Sequence, residues 1–188
     1  MKKIKFEVPH FLQGTDESCW WYSMKMIAKY HRYPDLKGLA EVIYSSIGSS
    51  TKNPKVGLSP ITGKLSLEIG GFAEVKGVNF GPKNSTINDL INTLTKFGPL
   101  LWCIKLDKTN EYKEIRHCAV ITGASETSDS SDEGGIVWVN DPAEKVPRQL
   151  PLWMIKFGMK LDDGGTDIGC LWYYDRPGKI AKAFKRSG

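Results

Sequence analysis

The chain has 188 residues, 40% of them hydrophobic and 25% charged, with a net charge of +5. That length fits one domain with a sizeable core, and the composition is ordinary for a soluble globular protein. The charge is too small to imply nucleic acid without a clustered patch, and no run approaches the roughly 18 consecutive apolar residues of a membrane span.

The first stretch, "MKKIKFEVPHF", is basic but has no apolar run behind it, so it does not read as a Sec signal peptide. Ile4 to Pro9 alternates and predicts a short edge strand closed by proline. The loop "QGTDES" follows, with Asp16, Glu17 and Ser18 as N-cap or first-turn residues. A helix is predicted over Cys19 to Tyr33, because Trp20, Met24, Ile27 and Ala28 recur at helical spacing. Pro34 prevents its smooth continuation. "LKGLAEVIYSSIG" predicts a second helix ending near Gly48. Residues 48–63 are rich in Gly, Ser and Pro and predict a surface loop, a candidate cleft rim.

"KLSLEIGG" is ambiguous between helix and strand, and "FAEVKGV" reads as a strand. "NSTINDLINTLTKFGP" predicts a helix capped by Ser85, buried along Ile87, Leu90, Ile91 and Leu94, and ended by Gly98-Pro99. After Pro99 the pattern turns to strands: "LLWCIKL", "HCAVITGA", "GIVWVNDP" and "GCLWYYD". A polar, acidic hairpin loop, Ser125 to Gly135, separates two of them, and "LPLWMIKFG" predicts a short helix before the last. The tail, 177–188, is basic and reads as a frayed or disordered end. Helices first and strands second predict an α+β fold in a single domain over 1–188. Its helical half covers about 10–98 and its sheet half about 99–176.

The four cysteines are Cys19, Cys103, Cys118 and Cys170. None are spaced as a C-x-x-C metal site, so no metal is expected. Cys103, Cys118 and Cys170 lie in apolar, strand-like runs and are expected to be buried thiols, which implies a reducing compartment. Cys118 reads as a small core residue. Cys19 differs, because it opens a helix, where the helix dipole favours thiolate.

A thiolate nucleophile also wants an imidazole nearby. Of the three histidines, His31 sits at the far end of the Cys19 helix, roughly 18 Å away at about 1.5 Å per residue. His10 is expected to be exposed. His117 opens the strand "HCAVITGA" and can face a helix-borne cysteine. If that strand and the next form a hairpin, the end of the second returns beside His117. The residue there is Asp141, or Asn140 if the register slips by one. The Gln13 side-chain amide and the Cys19 backbone N–H are natural oxyanion donors.

This order resembles the papain-like cysteine peptidases: Gln13, six residues on Cys19-Trp20 at a helix start, then His117-x-Ala119-Val120, then Asn140-Asp141 after a strand. Ser18-Cys19-Trp20 matches the signature around their nucleophile. The blocks between Val8 and Ala143 are similar to bacterial branches of that family. These are effector proteases that plant pathogens inject into host cells, peptidases that remove double-glycine leaders, and toxin domains used between competing bacteria. Two departures stand out: Asn140-Asp141-Pro142 replaces an Asn-Ser-Trp type sequence, and Asp16-Glu17-Ser18 precedes the cysteine.

The resemblance implies a papain-like fold, a nucleophile helix packed on an antiparallel sheet. It also implies Cys19 as nucleophile, His117 as general base and acid, Asp141 as orienting residue and Gln13 as oxyanion donor. No cofactor is needed. The expected partners are a protein or peptide substrate and, for a toxin, a cognate immunity protein occluding the cleft. Neither nucleic acid nor membrane is expected, and the chain is expected to be a monomer acting in a target cell's cytoplasm. Two rivals stand beside the endopeptidase. One is a deamidase, transglutaminase or acyltransferase with the same groups, and the other is a catalytically inactive papain-like binding module.

Overall fold

In the computed structural model, residues 1–14, 19–32, 72–75, 85–107, 114–128, 134–160 and 171–175 are described. The elements in chain order are β1 (Lys3–Lys5), α1 (Cys19–Tyr30), β2 (Phe72–Glu74), α2 (Ile87–Phe97), β3 (Leu100–Asp107), β4 (Glu114–Glu126), β5 (Gly135–Asn140), β6 (Arg148–Pro151), α3 (Leu152–Lys160) and β7 (Leu171–Tyr174). The expectations for 15–18, the second helix, the 48–63 loop, "KLSLEIGG", Cys170 and the basic tail lie outside the described residues.

The fold is α+β. Seven strands form one sheet in the order β2-β7-β3-β4-β5-β6, with β1 on β4, and the ladders are antiparallel. Two of these strands, β1 and β2, come from the N-terminal half of the chain. Strand alternation sorts the apolar residues into two cores. Leu101, Cys118, Val120 and Trp172 share one with Trp20, Met24 and Ile27 of α1. Their neighbours Leu100, Trp102, Ala119, Ile121 and Leu171 share the other with Leu90 and Leu94 of α2 and Leu152 and Ile155 of α3.

Four details differ from the sequence expectation. Strand β1 covers Lys3–Lys5 rather than Ile4 to Pro9. Helix α1 ends at Tyr30, and Arg32 turns left-handed (φ 57°) to stop it. The N-cap of α2 is Thr86, not Ser85. Thr86 accepts from the Asp89 N–H, and the Asp89 carboxylate accepts from the Thr86 N–H at 2.8 Å, a reciprocal capping box. Strand β6 was not expected at all. It is only four residues long, ends in Pro151 and forms one end of the strand order.

One irregularity decides what the sheet presents at its active end. Between β4 and β5 the register runs Val120↔Asn140 and Ile121↔Val139, then Gly123↔Trp138, so Thr122 is an extra residue on β4. Such a bulge reverses the facing of every residue beyond it. Were the Gly123↔Trp138 register carried through unbroken, Asn140 would stand opposite Ile121; with the extra residue it stands opposite Val120, and Asp141 follows it. Beside the bulge, β1 crosses close to Gly123, where a Cβ would lie 2.5 Å from the Ile4 carbonyl oxygen and 2.8 Å from Lys5 Cα. Gly123→Ala is therefore expected to lower stability by about 1–3 kcal/mol, read as a reduced urea midpoint at unchanged slope.

Candidate active site

Helix α1 begins at Cys19, so the thiol sits where the helix's unpaired N–H groups point. Its axial position is fixed one turn further on. Ser23, fully buried, donates its hydroxyl to the Cys118 carbonyl of β4 at 2.9 Å. The Cys19 thiol is buried and hydrogen-bonds to His117 and to Cys118. His117 Nε2 lies 2.8 Å from Asp141 Oδ1, which leaves Nδ1 for the thiol. Asp141 Oδ1 also accepts from the Ala143 N–H at 2.8 Å, holding the carboxylate in one rotamer. Asn140 is turned away, donating its side-chain amide to the Val8 carbonyl at 3.0 Å.

Cys19, His117 and Asp141 thus form one hydrogen-bonded chain built from a helix start, a strand and the end of the following strand. Gln13 stands beside it without a direct bond to it among the described residues. Its backbone N–H donates to the Pro142 carbonyl at 2.8 Å, and its side-chain oxygen is buried with no partner among the described residues.

A family model described as papain-like cysteine protease AvrRpt2 matches residues 2–161. The chain belongs to the AvrRpt2 family of papain-like cysteine proteases. In a direct comparison with curated proteins no match was found. The matched span takes in Gln13, Cys19, His117 and Asp141 and ends before β7.

The electrostatics of this AvrRpt2-family site differ from the sequence expectation in one respect. The helix start and His117 were expected to favour thiolate. In the resting site the Cys19 thiol is instead pushed up, by its hydrogen bond to Cys118 and by burial, against the opposing pull of His117. Burial also works against charge on His117, but the Asp141 carboxylate and the Cys19 contact outweigh it and raise the imidazole to about 10. Burial works against ionisation of Asp141 too. Its hydrogen bonds from His117 and Ala143 prevail and hold it below the usual carboxylate range. The resting site is a thiol beside an imidazolium–carboxylate pair. No group of three or more His, Cys, Asp or Glu suited to a metal occurs among the described residues.

Three supporting residues were not foreseen. Ser23 reads in the sequence as an unremarkable helix hydroxyl. Cys118 is the expected buried core residue but also touches the Cys19 thiol. His10, expected to be exposed, is half-buried and donates Nε2–H to the Asp141 carbonyl at 2.8 Å. With the Asn140–Val8 and Gln13–Pro142 bonds, His10 ties the strap 8–13 to residues 140–142. The only signal for such ties is tertiary, across more than a hundred residues. Losing one hydrogen bond of this kind costs about 0.5–1.5 kcal/mol. His10→Ala is accordingly expected to lower kcat up to roughly tenfold with little change in KM, and steady-state kinetics on a protein substrate checks it.

Proposed function

We propose that this papain-like cysteine peptidase is an endopeptidase working through Cys19, His117 and Asp141, with Gln13 as oxyanion donor. The observation that carries the reading is the hydrogen-bonded chain, with His117 between the Cys19 thiol and Asp141 Oδ1. The nucleophile helix and the antiparallel sheet are the two halves of a papain-like fold, meeting where Cys19 faces His117.

Cys19 releases its proton to solvent, and the thiolate, paired with the His117 imidazolium, attacks the scissile carbonyl carbon. The oxyanion that forms takes hydrogen bonds from the Gln13 side-chain N–H and the Cys19 backbone N–H. His117, already protonated, gives its proton to the leaving amine as the tetrahedral intermediate collapses to a thioester. The neutral imidazole then takes a proton from water, whose oxygen attacks the thioester; Cys19 leaves as thiolate and regains from solvent the proton it released. Asp141 holds the ring so that Nδ1 serves the sulfur throughout. The tie from Gln13 to Pro142 supports placing its amide beside this centre.

The biological setting follows the family: an effector delivered into a host or target cell, cleaving a specific protein in its cytoplasm. The AvrRpt2-family match supports this, as does the resemblance of the Gln13–Cys19, His117 and Asp141 blocks to injected effector proteases. The test is a proteome-wide survey of protein N-termini in cells expressing the wild type or Cys19→Ala. New N-termini confined to the wild type, at a shared motif, are expected. Deamidated or acylated side chains without new N-termini would replace the peptidase reading with a transferase or deamidase one.

A further inference from the structure

Two thiols near the nucleophile have no part in proteolysis. Cys103 and Cys118 are directly opposed across the β3–β4 ladder, with their sulfurs 3.3 Å apart. Opposed residues on antiparallel strands have Cα atoms about 4.5–5.5 Å apart, inside the range a disulfide spans. Cys118 also hydrogen-bonds the Cys19 thiol, and all three sulfurs adjoin one core cluster. Cys118 therefore touches Cys19 on one side and Cys103 on the other. Cys19, Cys103 and Cys118 are all reduced thiols here.

We propose that Cys118 and Cys103 form a second reactive site, a thiol relay that reduces the Cys19 nucleophile after attack by a hydroperoxide. In the first step Cys19 sulfur attacks hydrogen peroxide. An S–O bond forms, the O–O bond breaks, and one water leaves with Cys19 as sulfenic acid. Cys118 sulfur then attacks Cys19 sulfur. An S–S bond forms, the S–O bond breaks, and the departing hydroxide takes the Cys118 proton as a second water. Finally Cys103 attacks Cys118. A Cys103–Cys118 disulfide forms, the Cys19–Cys118 bond breaks, and Cys19 leaves as thiolate and takes the Cys103 proton. In sum, one peroxide is reduced to two waters and two thiols are oxidised to one disulfide, with Cys19 regenerated. Once Cys118 is oxidised its hydrogen bond no longer raises Cys19, and His117, the contact that favours thiolate, remains beside the leaving sulfur. Without a resolving thiol, further peroxide drives a sulfenic acid irreversibly to sulfinic acid.

The relay rests on Cys19 being the reactive thiol, so the experiment reads that separately. Native protein is first alkylated with iodoacetamide in a control arm. In a second arm it is treated with one equivalent of hydrogen peroxide, then alkylated and mapped by mass spectrometry without reduction. The wild type is expected to yield a Cys103–Cys118 disulfide with Cys19 still alkylated. Cys103→Ser is expected to stop at a Cys19–Cys118 disulfide that dithiothreitol reverses, and Cys118→Ala to hold Cys19 as sulfenic acid, which a second equivalent carries to sulfinic acid. Wild-type protein whose Cys19 stays sulfenic acid after one equivalent, or whose disulfide engages Cys170, overturns the relay even if neither variant folds. A Cys19 inert to iodoacetamide in the control arm overturns the relay and the catalytic reading together.

Discussion

Cys19→Ala is expected to reduce proteolysis on the order of 10⁴-fold or more, because no other group can form the thioester. The substitution trades a buried thiol for a methyl at the start of α1 and leaves the Ser23–Cys118 clip in place. Its cost in stability is expected to stay below about 2 kcal/mol, so lost activity reads as lost chemistry. His117→Ala is expected to lose a comparable amount. The double variant should be scarcely worse than either single one, since groups that act as a unit do not contribute additively. Single-turnover assays on a protein cleaved by the wild type, with urea unfolding as the control, check all three.

The second large effect separates Asp141 from its neighbour. Asp141→Asn keeps the shape but removes the carboxylate that holds the imidazole and raises its pKa. A loss in kcat of roughly 10²–10⁴-fold is expected. Asn140→Ala removes only the tie to Val8 and is expected to cost roughly tenfold at most. The pH profile gives a second readout. His117 must be protonated to serve the leaving amine, so activity is expected to fall as pH rises through about 10. Asp141 is a cause of that elevation, so Asp141→Asn is expected to move this alkaline limb to lower pH. Carboxylate and amide variants that behaved alike at 140 and 141 would remove the orienting role from Asp141.

The members of this candidate site stand out in the sequence because their signals are local. A cysteine ahead of a 3.6-period apolar pattern is a helix-start cysteine, and a histidine ahead of "CAVITGA" is strand-borne. The choice between Asn140 and Asp141 was not legible from alternation alone, because one bulge at Thr122 reverses the facing. A signal was nevertheless present: Gly123 inside a strand marks bulges and close backbone approach. The α2 cap was legible too, since Thr86 and Asp89 stand at capping-box spacing, whereas the residue three after Ser85 is Asn88. His10 and Ser23 were not legible, because each bonds to a backbone carbonyl brought there only by the tertiary fold. The same holds for the Cys118 contact, which reverses the expected resting electrostatics of Cys19.

The coupling of Cys19 to His117 is read most directly in one rate: alkylation of Cys19 by iodoacetamide at neutral pH, measured by peptide mapping in the wild type and in His117→Ala. His117 is the partner that favours thiolate at Cys19. Its removal is predicted to slow Cys19 alkylation by about tenfold or more, one pKa unit or greater, while the half-buried Cys103 reacts at an unchanged rate. Equal Cys19 rates in the two proteins would contradict the claim that these residues act as one site.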